Sequence, residues 1–447
     1  MATSVTDIAR RARLASTQLQ SVTGETKSVA LRQIQETLLR HKDLIIEANK
    51  KDLELASKEV EAGRLSASLF KRLDIAGAND EKFLTMVEGV ADVDKLEDPT
   101  GRVTLASQLD DGLNLYRVTC PVGVLLVIFE ARPEVAVNIA ALAIKSGNTV
   151  ILKGGKEATH TLQAISESLR EAFASLPAEH YISPDAVQLV SRREDIAALL
   201  DQDKYIDMVI PRGSNALVRH IQSNSRIPVL GHADGLCSIF IDASADEQKT
   251  INVVIDAKTS YPAACNSVET LLVHVDAAER VLPALAAKLY ENKVQLRADE
   301  RARKYLPEPE QKDLLQAAVD ADFDTEFLDH ILAVRVVDSL QDAVAHVNEH
   351  GSKHTEAILT ENAANAESYM TLVDAAGVYW NASTRFADGF RYGFGTEVGV
   401  STNKTHARGP VGLEGLVIYK YRLYGDGQGT LSYGVGEDKK RYLHTLI

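Results

Sequence analysis

The run VGVLLVIFEARP, in which Val124 to Phe129 are consecutive apolar residues, constrains the fold more than any other stretch. A strand without polar alternation has to be covered on both faces, which happens in parallel sheets flanked by helices. The chain then repeats the pattern. EVAVNIAALAIKSGN reads as a helix closed by Gly147, TVILKGG as the next strand and KEATHTLQAISESLREAFA as the next helix, with AVQLV and YIDMVIP continuing the series. Such a βαβ array predicts a nucleotide-binding type of domain. A second α/β run starts near Cys237 with LCSIFID and passes through DEQKTINVVIDAKTS, VETLLVHV, AERVLPALAAKLYENK, HILAVRVV, AILT and GVYWN. Residues 5 to about 90 read as helices. TGRVTLASQLDDGLNLYRVTCPVG alternates around an Asp111-Gly112 hairpin turn, and GLVIYKYRLY is a strand with no helix after it. The expected organisation is a Rossmann-type cofactor domain (1–102 and 121–235), an α/β catalytic domain (236–412) and a β flap with the C-terminal tail (103–120 and 413–447).

At 447 residues the chain exceeds what one core serves, in keeping with that division. A net charge of −14 and a pI near 5.4 argue against nucleic acid or an anionic membrane surface as the main partner. No apolar run approaches the roughly 18 residues of a membrane span. Three cysteines, odd in number and far apart, give neither a disulfide framework nor a zinc spacing, and point to a reducing compartment. The opening MATSVTDIARRARLASTQLQ is Arg-rich and amphipathic, as transit peptides are. Its helical periodicity runs on into SVALRQIQETLLRHKDLIIEANKKDLELA, so it is read as the first helix of a cytoplasmic protein.

No G-x-G-x-x-G follows a strand, and no Walker A loop exists. Two other strand-to-helix junctions have free N–H groups to offer a phosphate. In LKGGKEAT, Lys153 ends a strand, Gly154 and Gly155 turn the chain and Lys156 precedes a helix; in VIPRGSNALVRHI, Gly213 and Ser214 open a helix. Each reads equally well as a plain turn. Among the cysteines, Cys120 beside Pro121 and Cys237 in LCSIF fit packing roles. Cys265, in SYPAACNSVETLLVH, has apolar neighbours on one side only and lies between a helix and a strand. A thiol is a strong nucleophile even when only a few per cent ionised, so packing and catalysis both stay open on context alone. His346, His350 and His354 are four apart, but that spacing drifts around a helix and Gly351 breaks it, so no metal is expected.

SYPAACNSVETLLVH, AVAHVNEHGSKHTEAILT, EVGVSTNKTHARGPVGLEGLVIYKY and IFEARP together resemble the glutamate-5-semialdehyde dehydrogenase (γ-glutamyl phosphate reductase) family of the aldehyde dehydrogenase superfamily, over residues 5 to about 424. The resemblance implies an aldehyde dehydrogenase-like α/β fold. It also implies NADPH-dependent reduction of γ-glutamyl phosphate to glutamate 5-semialdehyde and phosphate, the second step of proline biosynthesis. Cys265 would displace phosphate and hold a thioacyl intermediate that a hydride converts to the aldehyde. Hydrolytic members of the superfamily carry a Glu that activates water; by the shared Leu-Gly of PVLGHADG, Val229 stands there, which favours a reductive route. Glu130 lies near the place of the usual oxyanion Asn, leaving the Cys265 N–H and the Asn266 side chain as candidate donors.

Glu326 of TEFLDH is similar to the Glu that holds the nicotinamide ribose. Lys153, Lys156, Gly213 and Ser214 complete the expected cofactor contacts. NAD-preferring members often place a Glu where Lys156 stands, so NADP(H) is expected. Arginine's fork suits the anionic ends of the substrate. Arg132 and Arg385 are the candidates, with Glu130 nearby and Arg408 in reserve; a surface or bridging role stays open for each. A homo-oligomer built on the flap and a separate glutamate 5-kinase supplying the acyl phosphate are the expected partners. A hydrolytic aldehyde dehydrogenase and a non-catalytic relative are the alternatives. Val229 counts against the first and the retained cysteine against the second.

Overall fold

The apolar run that opens the βαβ series is a strand with all six residues buried. The computed structural model describes residues 4–190 and 195–447. It divides into two compact units, Met1–Val229 with Gly412–Ile447, and Leu230–Val411. Strands β1 (Val103–Asp110) and β2 (Leu113–Pro121) form the hairpin, and β3 (Val124–Phe129), β4 (Thr149–Lys153), β5 (Val187–Val190) and β6 (Met208–Arg212) follow. The last four make a parallel sheet in the order β5-β4-β3-β6. The chain steps from β3 through β4 to β5 and then returns to the other side of β3. That reversal opens a crevice at the C-terminal ends of β3 and β6, where α/β sheets bind ligands. The helix Val135–Ser146 is buried at every residue but Asn138, as a helix between a sheet and further helices has to be. The amphipathic N-terminal stretch is the helix Val5–Leu19, capped by the Ser4 hydroxyl, with Ala9 and Ala12 in the same apolar cluster as Val124, Leu126 and Ile151.

The second unit contains β7 (Cys237–Ile241), β8 (Val268–His274), β9 (Gln295–Ala298), β10 (Leu315–Ala317), β11 (Ile331–Val337), β12 (Thr355–Leu359) and β13 (Gly377–Trp380). They form a parallel sheet in the order β10-β9-β11-β8-β7-β12-β13. The period-two alternation sends Ile239, Ile241, Leu271 and Val273 to one face and Phe240 and Leu272 to the other. Helices Glu247–Thr259 and Val275–Glu291 cover the first face; Leu340–His350 and Ala363–Leu372 cover the second. A short antiparallel pair, β14 (Gly399–Ser401) and β15 (Gly409–Val411), ends the unit.

The chain then returns to the hairpin. β16 (Val417–Tyr424) pairs with β2, and β17 (Thr445–Leu446) pairs with β1, giving the flap order β16-β2-β1-β17. The strand in the tail was not anticipated, nor were the short β9 and β10, whose polar residues hide the pattern. The division between units falls before Leu230, so His232 and Gly235 belong with the second. Among the described residues no helix is long and apolar enough to cross a membrane.

Candidate active site

Three loops converge where β8, β7 and β12 lie side by side. His232 precedes β7, Cys265 precedes β8, and His354 immediately precedes β12. Parallel neighbours start at the same sheet edge, so residues far apart in sequence meet there. One donor atom from each side chain lies within 4.8 Å of the others. The cysteine turn is held by backbone bonds from Ala264 to Tyr261 (3.1 Å) and from Ser267 to Ala264 (2.9 Å). The Ser267 hydroxyl adds a bond to the Ala257 carbonyl (2.9 Å). Gly235 backs the turn so closely that a Cβ there would collide with the Cys265 carbonyl, which is why only glycine fits. Glu326 accepts from the Gly235 N–H at 3.0 Å and fixes that loop. The Cys237 thiol donates to the Cys265 carbonyl at 3.3 Å.

The two thiols of this region, half-buried Cys265 and buried Cys237, are shifted in opposite directions. Burial pushes the Cys265 thiol up, but the neighbouring charges of His354 and His232 outweigh it and hold the thiol well below its ordinary value. Cys237 lies 3.9 Å from His354 Nδ1, but burial, with the Glu356 charge and Cys265 adding to it, raises its thiol well above the ordinary value. The imidazoles are themselves oriented. His232 Nδ1 lies 3.0 Å from the Val400 carbonyl, which only accepts, so the lone pair of the neutral ring is on Nε2. His354 Nδ1 is 2.8 Å from the Thr355 hydroxyl. The carboxyl of Glu356, two residues beyond His354, is pushed well above the usual carboxylate range by burial, and it accepts from the Ser238 N–H at 2.6 Å.

A lowered thiol keeps its thiolate as pH falls below the usual thiol range, and loses it only on passing the lowered value. Alkylation of Cys265 by iodoacetamide is therefore expected to slow by less than about threefold between pH 8.5 and 6.5, where an ordinary thiol slows about fiftyfold. His354→Ala should restore the steep dependence. Peptide mapping of the alkylated protein measures both, and a steep profile in the wild type contradicts the assignment.

Arg385 lies against the cysteine loop. Its Nε donates to the Ser260 hydroxyl (3.2 Å), its guanidinium sits over the Tyr261 ring and it bonds the Asn266 Oδ1. Asn266 Nδ2 donates to the Ala387 carbonyl at 2.9 Å, and the Asn266 carbonyl accepts from Thr384 at 2.7 Å. Asn266 thus anchors Arg385, and the Cys265 N–H becomes the first candidate for stabilising an oxyanion. Arg408 is committed to Asp374 (3.0 Å), which Lys353 and Lys404 also hold, and leaves the list of substrate contacts.

In the first unit, Lys153 is buried at the end of β4 with its Nζ on the Gly154 carbonyl (2.6 Å), whereas Lys156 is exposed. Glu130, expected beside the substrate, accepts from the Ser214 N–H at 2.8 Å. It thereby caps the helix Asn215–Asn224 and occupies one donor that the Gly213–Ser214 junction was expected to offer a phosphate. Glu157 accepts from the N–H of Ala131, a non-glycine residue at φ 46°, and so shapes the loop that carries Arg132. The crevice at the ends of β3 and β6, with Lys153 ending β4 and the Gly-Gly turn and Lys156 after it, lies where α/β sheets bind dinucleotides. Sequence reasoning missed His232 and dismissed His354 together with His346 and His350. The structure separates them: His346 and His350 stay in the helix Leu340–His350, and His354 lies beyond it. The available signal was position, since GHADG and GSKHTE each put a histidine just before an apolar strand, as with Cys265.

A thiol between two oriented imidazoles, in a chain that also carries a dinucleotide-type βαβ unit, is an arrangement suited to an oxidoreductase. Comparison with known proteins makes this specific. Residues 1–306 match the aldehyde dehydrogenase family. A probable gamma-glutamyl phosphate reductase of Schizosaccharomyces pombe is 53% identical over 430 residues, covering 96% of this chain and 94% of that protein. The gamma-glutamyl phosphate reductase of Saccharomyces cerevisiae is 49% identical, covering 98% and 96%. The crystal structure of gamma-glutamyl phosphate reductase from Thermotoga maritima superposes with a TM-score of 0.88 at 37% identity, covering 96% of this chain and 100% of that one. The chain belongs to the aldehyde dehydrogenase family, whose members use a nicotinamide cofactor, and these relatives are its γ-glutamyl phosphate reductases.

Proposed function

We propose that this chain reduces γ-glutamyl phosphate to glutamate 5-semialdehyde and phosphate, with NADPH as electron donor, in cytoplasmic proline biosynthesis. The observation that carries the proposal is the Cys265 thiol held between His232 and His354, in a chain with such relatives. The Cys265 thiolate attacks the acyl carbon, the bond to the phosphate oxygen breaks, and phosphate leaves with the electron pair. Bound nicotinamide supplies a hydride to the thioester carbon. The Cys265 N–H stabilises the oxyanion formed, and the carbon–sulfur bond breaks to release the aldehyde. His232 and His354 favour the thiolate both as nucleophile and as leaving group. Arg385, held by Asn266 and Ser260, offers its guanidinium to a substrate anion. Val229 packs against the apolar cluster of the first unit and supplies no base for water.

On this reading residues 1–102 and 121–229 hold the cofactor, 230–411 carry the chemistry, and the flap joins copies of the chain. Lys153, Lys156, Gly213 and Ser214 serve the dinucleotide and Glu326 the nicotinamide ribose. Arg132 and Glu130 stand at the crevice rim, and a glutamate kinase supplies the acyl phosphate. Exposed Lys156 favours the 2′-phosphate of NADP(H). A charged hydrogen bond of roughly 1.5–3 kcal/mol is worth about one to two decades, so Lys156→Glu should shift the ratio of kcat/KM towards NAD(H) by that much. An unchanged ratio removes Lys156 from the cofactor site. The activity itself is tested by phosphate-dependent NADP+ reduction with glutamate 5-semialdehyde; absence of turnover in well-folded protein overturns it.

A further inference from the structure

We infer that the Cys265 thiolate, His232 and His354 form a three-donor site for zinc or a similarly soft divalent ion, which reversibly silences the enzyme. The three donor atoms lie within 4.8 Å of one another. Tetrahedral zinc, with Zn–S near 2.3 Å and Zn–N near 2.05 Å, needs donors about 3.3–3.6 Å apart. Rotation about the Cys265 Cα–Cβ bond moves Sγ further than that difference.

The outer groups favour a ligating pose. Metal-bound imidazoles characteristically engage their other ring nitrogen in a hydrogen bond that fixes orientation. Here His232 Nδ1 meets the Val400 carbonyl at 3.0 Å and His354 Nδ1 meets the Thr355 hydroxyl at 2.8 Å, which points Nε2 of each ring to the metal. His354 is 1% exposed, and its Nε2 is buried with no hydrogen-bond partner among the described residues. A metal would satisfy that atom.

One thiolate and two imidazoles select zinc, cadmium or cobalt over magnesium or calcium, which prefer oxygen. With three protein ligands the fourth position stays open to water or an anion. Binding forms a sulfur–metal bond and releases the thiol proton that remains bound, so at most one proton appears per metal. The bound sulfur can no longer attack an acyl carbon. The ion is therefore an inhibitor and not a cofactor, and the catalytic cycle needs none. Metal binding stands on the donors alone; the inhibition rests on Cys265 being the nucleophile.

Cobalt(II) added to the chelator-treated full chain tests this. One equivalent should produce a thiolate-to-cobalt charge-transfer band, which zinc displaces. Cys265→Ser should lose the band, and His354→Ala should bind at least about tenfold more weakly, with melting curves confirming that both variants are folded. Zinc should inhibit the wild type reversibly and protect Cys265 from iodoacetamide. A band that survives in Cys265→Ser, or no band in the wild type, overturns the site. A band without inhibition upholds the site and instead overturns the nucleophile assignment.

Discussion

Cys265→Ala is expected to abolish reduction, by at least roughly 10³- to 10⁴-fold in kcat, while leaving the melting temperature and cofactor binding nearly unchanged. The size of the effect follows from the covalent route. Without the sulfur no thioacyl intermediate forms, and no second thiol can replace it. Cys237 is fully buried with its thiol raised by burial, and half-buried Cys120 lies in β2 of the flap. The small effect on folding follows from what holds the turn. Its backbone bonds, the Ser267 hydroxyl and the Cys237-to-carbonyl contact do not involve the Cys265 side chain. Cys237→Ala and Cys120→Ala should retain activity. Steady-state kinetics beside thermal melts of the three variants measures this, and turnover in Cys265→Ala contradicts the mechanism.

The second large effect is on stability. Lys258, at the end of the helix before the cysteine turn, and Glu269, at the start of β8, are 0% and 1% exposed and 2.7 Å apart. Lys258 also donates to the Val268 carbonyl (3.0 Å), and Glu269 accepts from the Leu328 N–H (3.2 Å). Burial pushes Glu269 up to about 7 despite the lysine, and pushes Lys258 down. Both shifts disfavour charge in the interior, so each group depends on the other. Lys258→Met leaves an uncompensated buried acid and should cost about 3–5 kcal/mol. For a unit of this size that lowers Tm by on the order of 10 °C. Adding Glu269→Gln removes the charge and keeps an acceptor for Leu328, so the double variant should recover more than half of the loss. Urea unfolding of the two variants decides, and a loss below about 1 kcal/mol in Lys258→Met would show that the pair is dispensable.

The parallel sheets were legible in the sequence because burial on both faces leaves uninterrupted apolar runs such as Val124–Phe129. The tail strand β17 was not, because two exposed residues paired to β1 leave no pattern. Cys265 was legible through its polar setting between a helix and a strand. Its partners were hidden by topology: β7, β8 and β12 are distant in sequence and adjacent in the sheet, and no spacing rule links His232 to His354. The Glu130 contact was hidden for a related reason. Its side chain answers the N-terminus of a helix that begins at Asn215, which becomes visible only once β3 and β6 are seen as neighbours.

The most direct test of the account is to trap the intermediate in the reverse direction. With glutamate 5-semialdehyde and NADP+ in phosphate-free buffer, Cys265 adds to the aldehyde, hydride leaves to NADP+, and a thioester remains that water attacks poorly. Trypsin cleaves after Lys258 and Arg280, so the nucleophile lies in a peptide with a single cysteine. The account predicts a burst of one NADPH per active site, a glutamyl mass added to the peptide Thr259–Arg280, and discharge of that mass when phosphate is added. Sustained turnover without phosphate, or a burst with that peptide unmodified, would contradict it.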